Sequence, residues 1–209
     1  MALVTNPHWK PSRVTPGMRA ARLVLRLWGW RVLMAAPPEG KVVAVVYPHT
    51  SNWDFPVGIL WAWATGAPVK FVAKHSLFRW PMGTVLRAWG GVPVDRRKAG
   101  GNFVQAVVDL IRAAPEIMLV VAPEGSRSRG DHWKSGFYHM ALRAGVPIGL
   151  ATIDWGRREV GLGGYIQPSG NLRADFEKMR LFYAGRHGRK PEGETPIVPR
   201  PEENASPRP

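Results

Sequence analysis

KVVAVVYPHTSNWDFPVGILWAWATG, residues 41–66, decides the reading of this chain. Its opening run, Lys41–Tyr47, is β-branched and nearly all apolar, the composition of a strand covered on both faces. Polar residues follow, and from Asp54 to Thr65 the pattern becomes helical, with Pro56 tolerated in the first turn and Gly66 as the stop. Working outward, Val69–Ala73, Val92–Val94, Ile117–Ala122 and Val146–Ile153 read as further strands. Leu77–Trp89, Asn102–Ala114, Gly136–Arg143 and Asp175–Ala184 read as helices. Pro115 and Gly145 end two of them. The alternation predicts an α/β fold: a layered sheet of mostly parallel strands with helices on both faces. No internal repeat and no dividing linker interrupts it, so residues 37–190 are expected to form one domain. Residues 191–209 are rich in Pro and Glu and poor in large apolar side chains, the composition of a disordered tail.

Upstream, Met18–Met34 is apolar but carries Arg19, Arg22, Arg26 and Arg31. As a helix it would cover roughly 25 Å, short of the ~30 Å hydrocarbon core of a bilayer. Arg19, Arg22 and Arg26 fall within about 60° of one another on a helical wheel. Leu23, Val24, Leu25, Leu27, Trp28 and Val32 fill most of the remaining circumference. The arginines and the lack of a small-residue cleavage site exclude a signal peptide. Two roles fit such a basic amphipathic helix: a core helix with a solvated Arg edge, or an in-plane anchor. Residues 1–36 are thus expected to be a membrane-associating segment preceding the domain.

The chain has 209 residues, 45% hydrophobic and 21% charged, which suits a globular protein and excludes wholesale disorder. Lys and Arg number 29 against 15 acids, a formal charge of +14 that calls for an anionic partner. Nucleic acid, an anionic membrane and phosphorylated small molecules all satisfy it. Cysteine is absent, which excludes a disulfide scaffold, a cysteine–zinc site and a thiol nucleophile, and fits a reducing compartment. Ten Trp residues are in keeping with a surface that meets lipid headgroups.

Three polar clusters follow apparent strands, where open α/β sheets place their sites. In the first, HTSNWD (His49–Asp54), a His in the loop and an Asp in the first helical turn can meet. The Asp would hold the imidazole in one tautomer and leave its other nitrogen as a general base; helix capping is the alternative role for Asp54. The second cluster, Gly90–Lys98, and the third, Pro123–Arg129 with Lys134 beyond it, combine glycine with arginine. Glycine lets backbone approach a ligand and arginine suits bidentate phosphate recognition, although either loop could simply be a solvated basic loop. His132 and His139 do not form a metal-ligand pattern. Ser126 and Ser128 lack the context of a hydrolase nucleophile.

In this order, the clusters resemble the glycerolipid acyltransferases, which include the lysophosphatidate acyltransferases. The resemblance rests on H-x4-D at His49 and Asp54, a glycine-to-arginine block from Gly90–Gly91 to Asp95–Arg96, P-E-G-S-R-S at Pro123–Ser128, and V-P-I at Val146–Ile148. It covers roughly residues 40–155. Position 150 is Leu where members often have a second proline, and where many members have long hydrophobic N-terminal helices this sequence offers the basic amphipathic one. The resemblance implies direct transfer of a fatty acyl group, without cofactor or metal, from acyl-CoA or acyl carrier protein to a lysophospholipid or glycerol-phosphate hydroxyl. It makes His49 the base and Asp54 its orienter. Arg96, Glu124, Gly125, Ser126, Arg127 and Lys134 would bind the phosphorylated acceptor. The expected setting is the inner face of a membrane, peripherally, in the cytoplasm. Alternatives are an amino-acid lipid or glycolipid acceptor, or a non-catalytic basic protein that binds membrane or nucleic acid. No nucleic-acid motif is present, and the arginines do not form one helical stripe, so no nucleic-acid partner is expected.

Overall fold

In the computed structural model, which describes residues 14–35, 40–94 and 103–201, the chain alternates strands and helices. The strands are β1 (Arg31–Met34), β2 (Lys41–Val46), β3 (Val69–Lys74), β4 (Gly91–Val94), β5 (Ile117–Val121), β6 (Ile148–Asp154) and β7 (Glu159–Ile166). The helices among the described residues are α1 (Pro16–Leu27), α2 (Asp54–Thr65), α3 (Met82–Ala88), α4 (Phe103–Ala113), α5 (Gly136–Ala144) and α6 (Leu172–Tyr183). The strands form one sheet in the order β1-β7-β6-β2-β5-β3-β4. From β6 to β4 every neighbouring pair is parallel; β7 runs antiparallel to β6, and β1 runs parallel to β7. The sheet is therefore mostly parallel with helices on both faces, as its apolar strands predict.

The central strand β2 shows why. Val43 and Val45 face a cluster built with α4, α5 and α6, while Val42 and Ala44 face one built with α1 and α2. All four side chains are buried, and each valine contributes roughly 1.5–3 kcal/mol relative to an exposed one. Because β2, β5 and β3 are parallel, the loops after them open at one edge of the sheet, the usual crevice of such folds.

Three expectations need correction. The N-terminal helix stops at Leu27, not Met34. Gly29 takes φ 79° after it, and Arg31–Met34 becomes the edge strand β1. Ala21 and Leu25 are buried against α2, so this segment is built into the domain, while Leu23, Val24 and Leu27 stay exposed. Second, β7 was not expected, because glycines weaken a strand pattern. Its Gly161 sits at φ 128°, where an added Cβ would strike the Leu33 carbonyl and the Trp61 ring. Close packing of β1 and α2 requires that glycine. Third, described residues 191–201 of the expected tail pack onto the domain. Lys190 N–H donates to Thr50 Oγ1 (3.1 Å), Gly130 N–H to Thr195 Oγ1 (3.0 Å) and Trp133 N–H to the Val198 carbonyl (2.9 Å). A strap held by backbone hydrogen bonds needs few apolar side chains, so composition does not reveal it.

Candidate active site

The strap crosses the edge of the sheet where the first and third polar clusters meet. After β2 the chain turns through Pro48–Trp53 and enters α2 at Asp54, which is buried. Its Oδ2 accepts the Ser51 N–H (2.9 Å) and lies 3.2 Å from His49 Nδ1. Its Oδ1 accepts the indole N–H of Trp155 (2.7 Å). Asp54 makes no side-chain cap to α2; both oxygens instead bind the loop and the ring beyond it. The His49 contact is short in distance but off the in-plane N–H direction of a hydrogen bond. With Nδ1 turned to Asp54, Nε2 is the nitrogen left for a reacting proton.

Glu124, at the end of β5, grips the same loop from the other side. Its Oε2 accepts the His49 N–H (2.7 Å) and its Oε1 accepts the Thr195 N–H (3.1 Å). The carboxyl is buried, and desolvation raises its pKa to about 7 against the pull of those two hydrogen bonds. Expected among the acceptor ligands, Glu124 is placed by the structure as a brace between the His49 loop and the strap. Gly125 adopts φ 72° beneath the Lys134 side chain, which fills the space a Cβ would take. Lys134 is exposed, and its N–H donates to the Pro123 carbonyl (2.9 Å). Ser126 Oγ donates to the Ser128 carbonyl (3.0 Å), and Arg127 is exposed.

Two cavities meet at His49. A smaller one of about 320 Å³ is lined by Gly125, Ser126 and Arg127 together with Val72, Phe103 and Met140. A larger, mostly apolar one of about 650 Å³ runs between the sheet and α2, lined by Phe55, Ile59, Phe71, Met118, Val120 and Leu86; His49, Asp54 and Arg127 are among its few polar groups. The structure thus gathers His49, Asp54, Glu124, Gly125, Ser126, Arg127 and Lys134 at one edge. Arg96 lies outside the described residues. Sequence reasoning missed Trp155 and Thr195. An isolated Trp beyond a strand and a Thr in a Pro-rich stretch carry no motif, and only the hydrogen bonds of the folded chain reveal them.

A family model described as Acyltransferase matches residues 33–151. The 1-acyl-sn-glycerol-3-phosphate acyltransferase of Borreliella burgdorferi is 26% identical over 145 residues, covering 65% of this chain and 57% of that protein. The protein of that name in Salmonella typhimurium is 33% identical over 106 residues, covering 48% of this chain and 42% of its own. The chain thus spans about half the length of the curated relatives it matches. Among solved structures, the 1-acyl-sn-glycerophosphate (LPA) acyltransferase PlsC from Thermotoga maritima superposes with a TM-score of 0.52 at 18% identity, covering 75% of this chain and 70% of that one. That likeness is one of fold.

Proposed function

This chain belongs to the acyltransferase family, and we propose that it transfers a fatty acyl group from a thioester donor, acyl-CoA or acyl carrier protein, to the hydroxyl of a lysophosphatidate-type acceptor. The observation that carries this reading is the His49–Asp54 contact (3.2 Å) beside an apolar cavity of about 650 Å³. An acyl chain lying in that cavity would bring its thioester carbonyl to the imidazole. Nε2 of His49 then takes the acceptor hydroxyl proton as the oxygen attacks the carbonyl carbon. The tetrahedral intermediate collapses, the C–S bond breaks, and the leaving thiolate recovers the proton from the imidazolium. Asp54 holds the ring and stabilises its charged form. Arg127, exposed between the two cavities and at the end of the Gly125 turn, is suited to the acceptor phosphate, with Lys134 nearby.

His49→Ala tests the assignment. The loop imidazole carries little of the core, so the variant should fold and lose ~10²–10⁴-fold in rate. Release of free thiol from acyl-CoA in the presence of lysophosphatidate reports it. Turnover near that of the unaltered protein sinks the mechanism.

A peripheral membrane setting fits the layer formed by α1, α2 and α3. Among the described residues up to Val94 the only carboxylate is Asp54, which is buried. The same stretch exposes Leu23, Leu27 (79%), Trp63, Leu77, Trp80 (88%) and Met82 beside Arg19, Arg26, Arg79 and Arg87. Apolar side chains among cations suit an anionic bilayer surface, each basic residue near it worth about 1 kcal/mol. No described helix is long and apolar enough to cross a membrane. Because α1 and β1 are built into the domain, point changes test this setting better than truncation. Leu27→Glu and Trp80→Glu should each lower flotation with anionic liposomes, and unchanged flotation of both would remove this face from the proposal.

A further inference from the structure

On the far side of Asp54 from His49 lies a third, more open cavity of about 720 Å³. Its walls come from four places in the chain: Trp28 after α1, Trp53 before α2, Trp155 and Arg158 in the β6–β7 turn, and His187 with Arg189 between α6 and the strap. Trp155 holds it together. The guanidinium of Arg158 lies 5.2 Å from the Trp155 ring centroid and that of Arg189 lies 4.9 Å away. Arg189 also covers Trp53 at 5.3 Å, and Arg158 covers Trp30 at 5.7 Å. Two like charges thus converge on one ring, and among the described residues no carboxylate forms an ion pair with either. Arg158 is held at φ 53°, a conformation uncommon for any residue but glycine. The turn that carries it is fixed by Asp154, whose Oδ1 accepts the N–H groups of Gly156 and Arg157, both at 3.0 Å. Trp53 remains half exposed in a wall of this cavity.

We propose that this cup binds the phosphorylated nucleotide end of a coenzyme A thioester, an assignment that rests on the acyl-transfer reading above. Both substrates of that reaction carry phosphate, and two cationic sites flank the one imidazole. The turn bearing Arg127 lies on the Glu124 side and suits the acceptor. The cup lies on the Asp54 side and offers what a lone phosphate would not need: indole rings and guanidinium planes on which a purine stacks, beside cations for its phosphates. Its size falls in the range of small-ligand sites. An acyl carrier protein would bring a phosphopantetheine arm but no purine, so the cup selects the coenzyme form of the donor.

Calorimetric titration of the full chain with adenosine 3′,5′-bisphosphate tests this without turnover, so a failure of acyl transfer and a failure of the cup are read separately. The nucleotide should bind at one site. Arg189→Gln should weaken it roughly tenfold, the size of one lost charge-assisted hydrogen bond. Arg158→Gln should act in the same direction, and circular dichroism shows that each variant is folded. In steady-state kinetics Arg189→Gln should raise KM for acyl-CoA and leave KM for lysophosphatidate unchanged. The proposal is overturned if the nucleotide does not bind, if glycerol 3-phosphate displaces it, if both variants bind it as tightly as the unaltered chain, or if only the acceptor KM rises.

Discussion

Two buried carboxylates hold His49 from opposite sides, and they differ in what they grip. Asp54, at the start of α2, faces the imidazole itself at 3.2 Å and is in turn gripped by the indole of Trp155. Glu124, at the end of β5, reaches only the His49 backbone N–H and passes its other oxygen to Thr195 in the strap. Asp54 therefore bears on the ring itself, while Glu124 bears on where the loop lies. The lesson is that proximity to His49 does not define a role. The atom contacted does.

The largest expected effect separates the two directly. Asp54→Asn keeps the shape but presents the wrong partner to Nδ1, and by analogy with other His–Asp pairs kcat should fall by up to about 10⁴-fold. Thermal denaturation should show a folded protein. A variant with full kcat would reduce Asp54 to a loop support and erase the contrast with Glu124.

Next is the pH dependence of stability. Glu124 has its pKa raised by burial to about 7 in the folded protein, so the native state holds this proton more tightly than the unfolded chain does. The stabilising contribution is present in full below the ordinary carboxylate range and is lost as pH rises through about 7. Its size is about 3 kcal/mol on the usual linkage relation. Urea unfolding between pH 4.5 and 8 should show this fall in the unaltered protein and a flatter profile in Glu124→Gln. Identical profiles would mean that the folded carboxyl ionises as readily as the unfolded one.

The smallest effect sharpens the Asp54 side. Trp155→Phe keeps a ring in place but deletes the donor to Asp54 Oδ1. One such hydrogen bond to a carboxylate corresponds to roughly a tenfold fall in kcat, with acceptor KM little changed. A rise in acceptor KM at constant kcat would place Trp155 in acceptor binding, not in positioning the dyad.

Local pattern carried much of this molecule. The run KVVAVVY could only be a buried strand, and α2 begins and ends at the residues its proline and glycine signals name. The His49–Asp54 pairing was legible too, because a short strand-to-helix turn separates the loop residue His49 from Asp54 at the start of α2 and brings them together. The glycine-rich β7 and the Pro-rich strap were not legible. Each is stabilised by distant partners: Gly161 by the space between Leu33 and Trp61, and Thr195 by Glu124. The same holds for the 101-residue separation between Asp54 and Trp155. Sequence by itself determined the layered fold, the dyad and the cationic turn after β5, since each depends on the periodicity or chemistry of a few neighbouring residues. Only the tertiary structure decided that Glu124 braces a backbone, that Trp155 holds the dyad, and that four remote segments close an arginine–tryptophan cup beside it. Those contacts arise where the sheet brings the loop ends together, and no short window of the chain contains both partners.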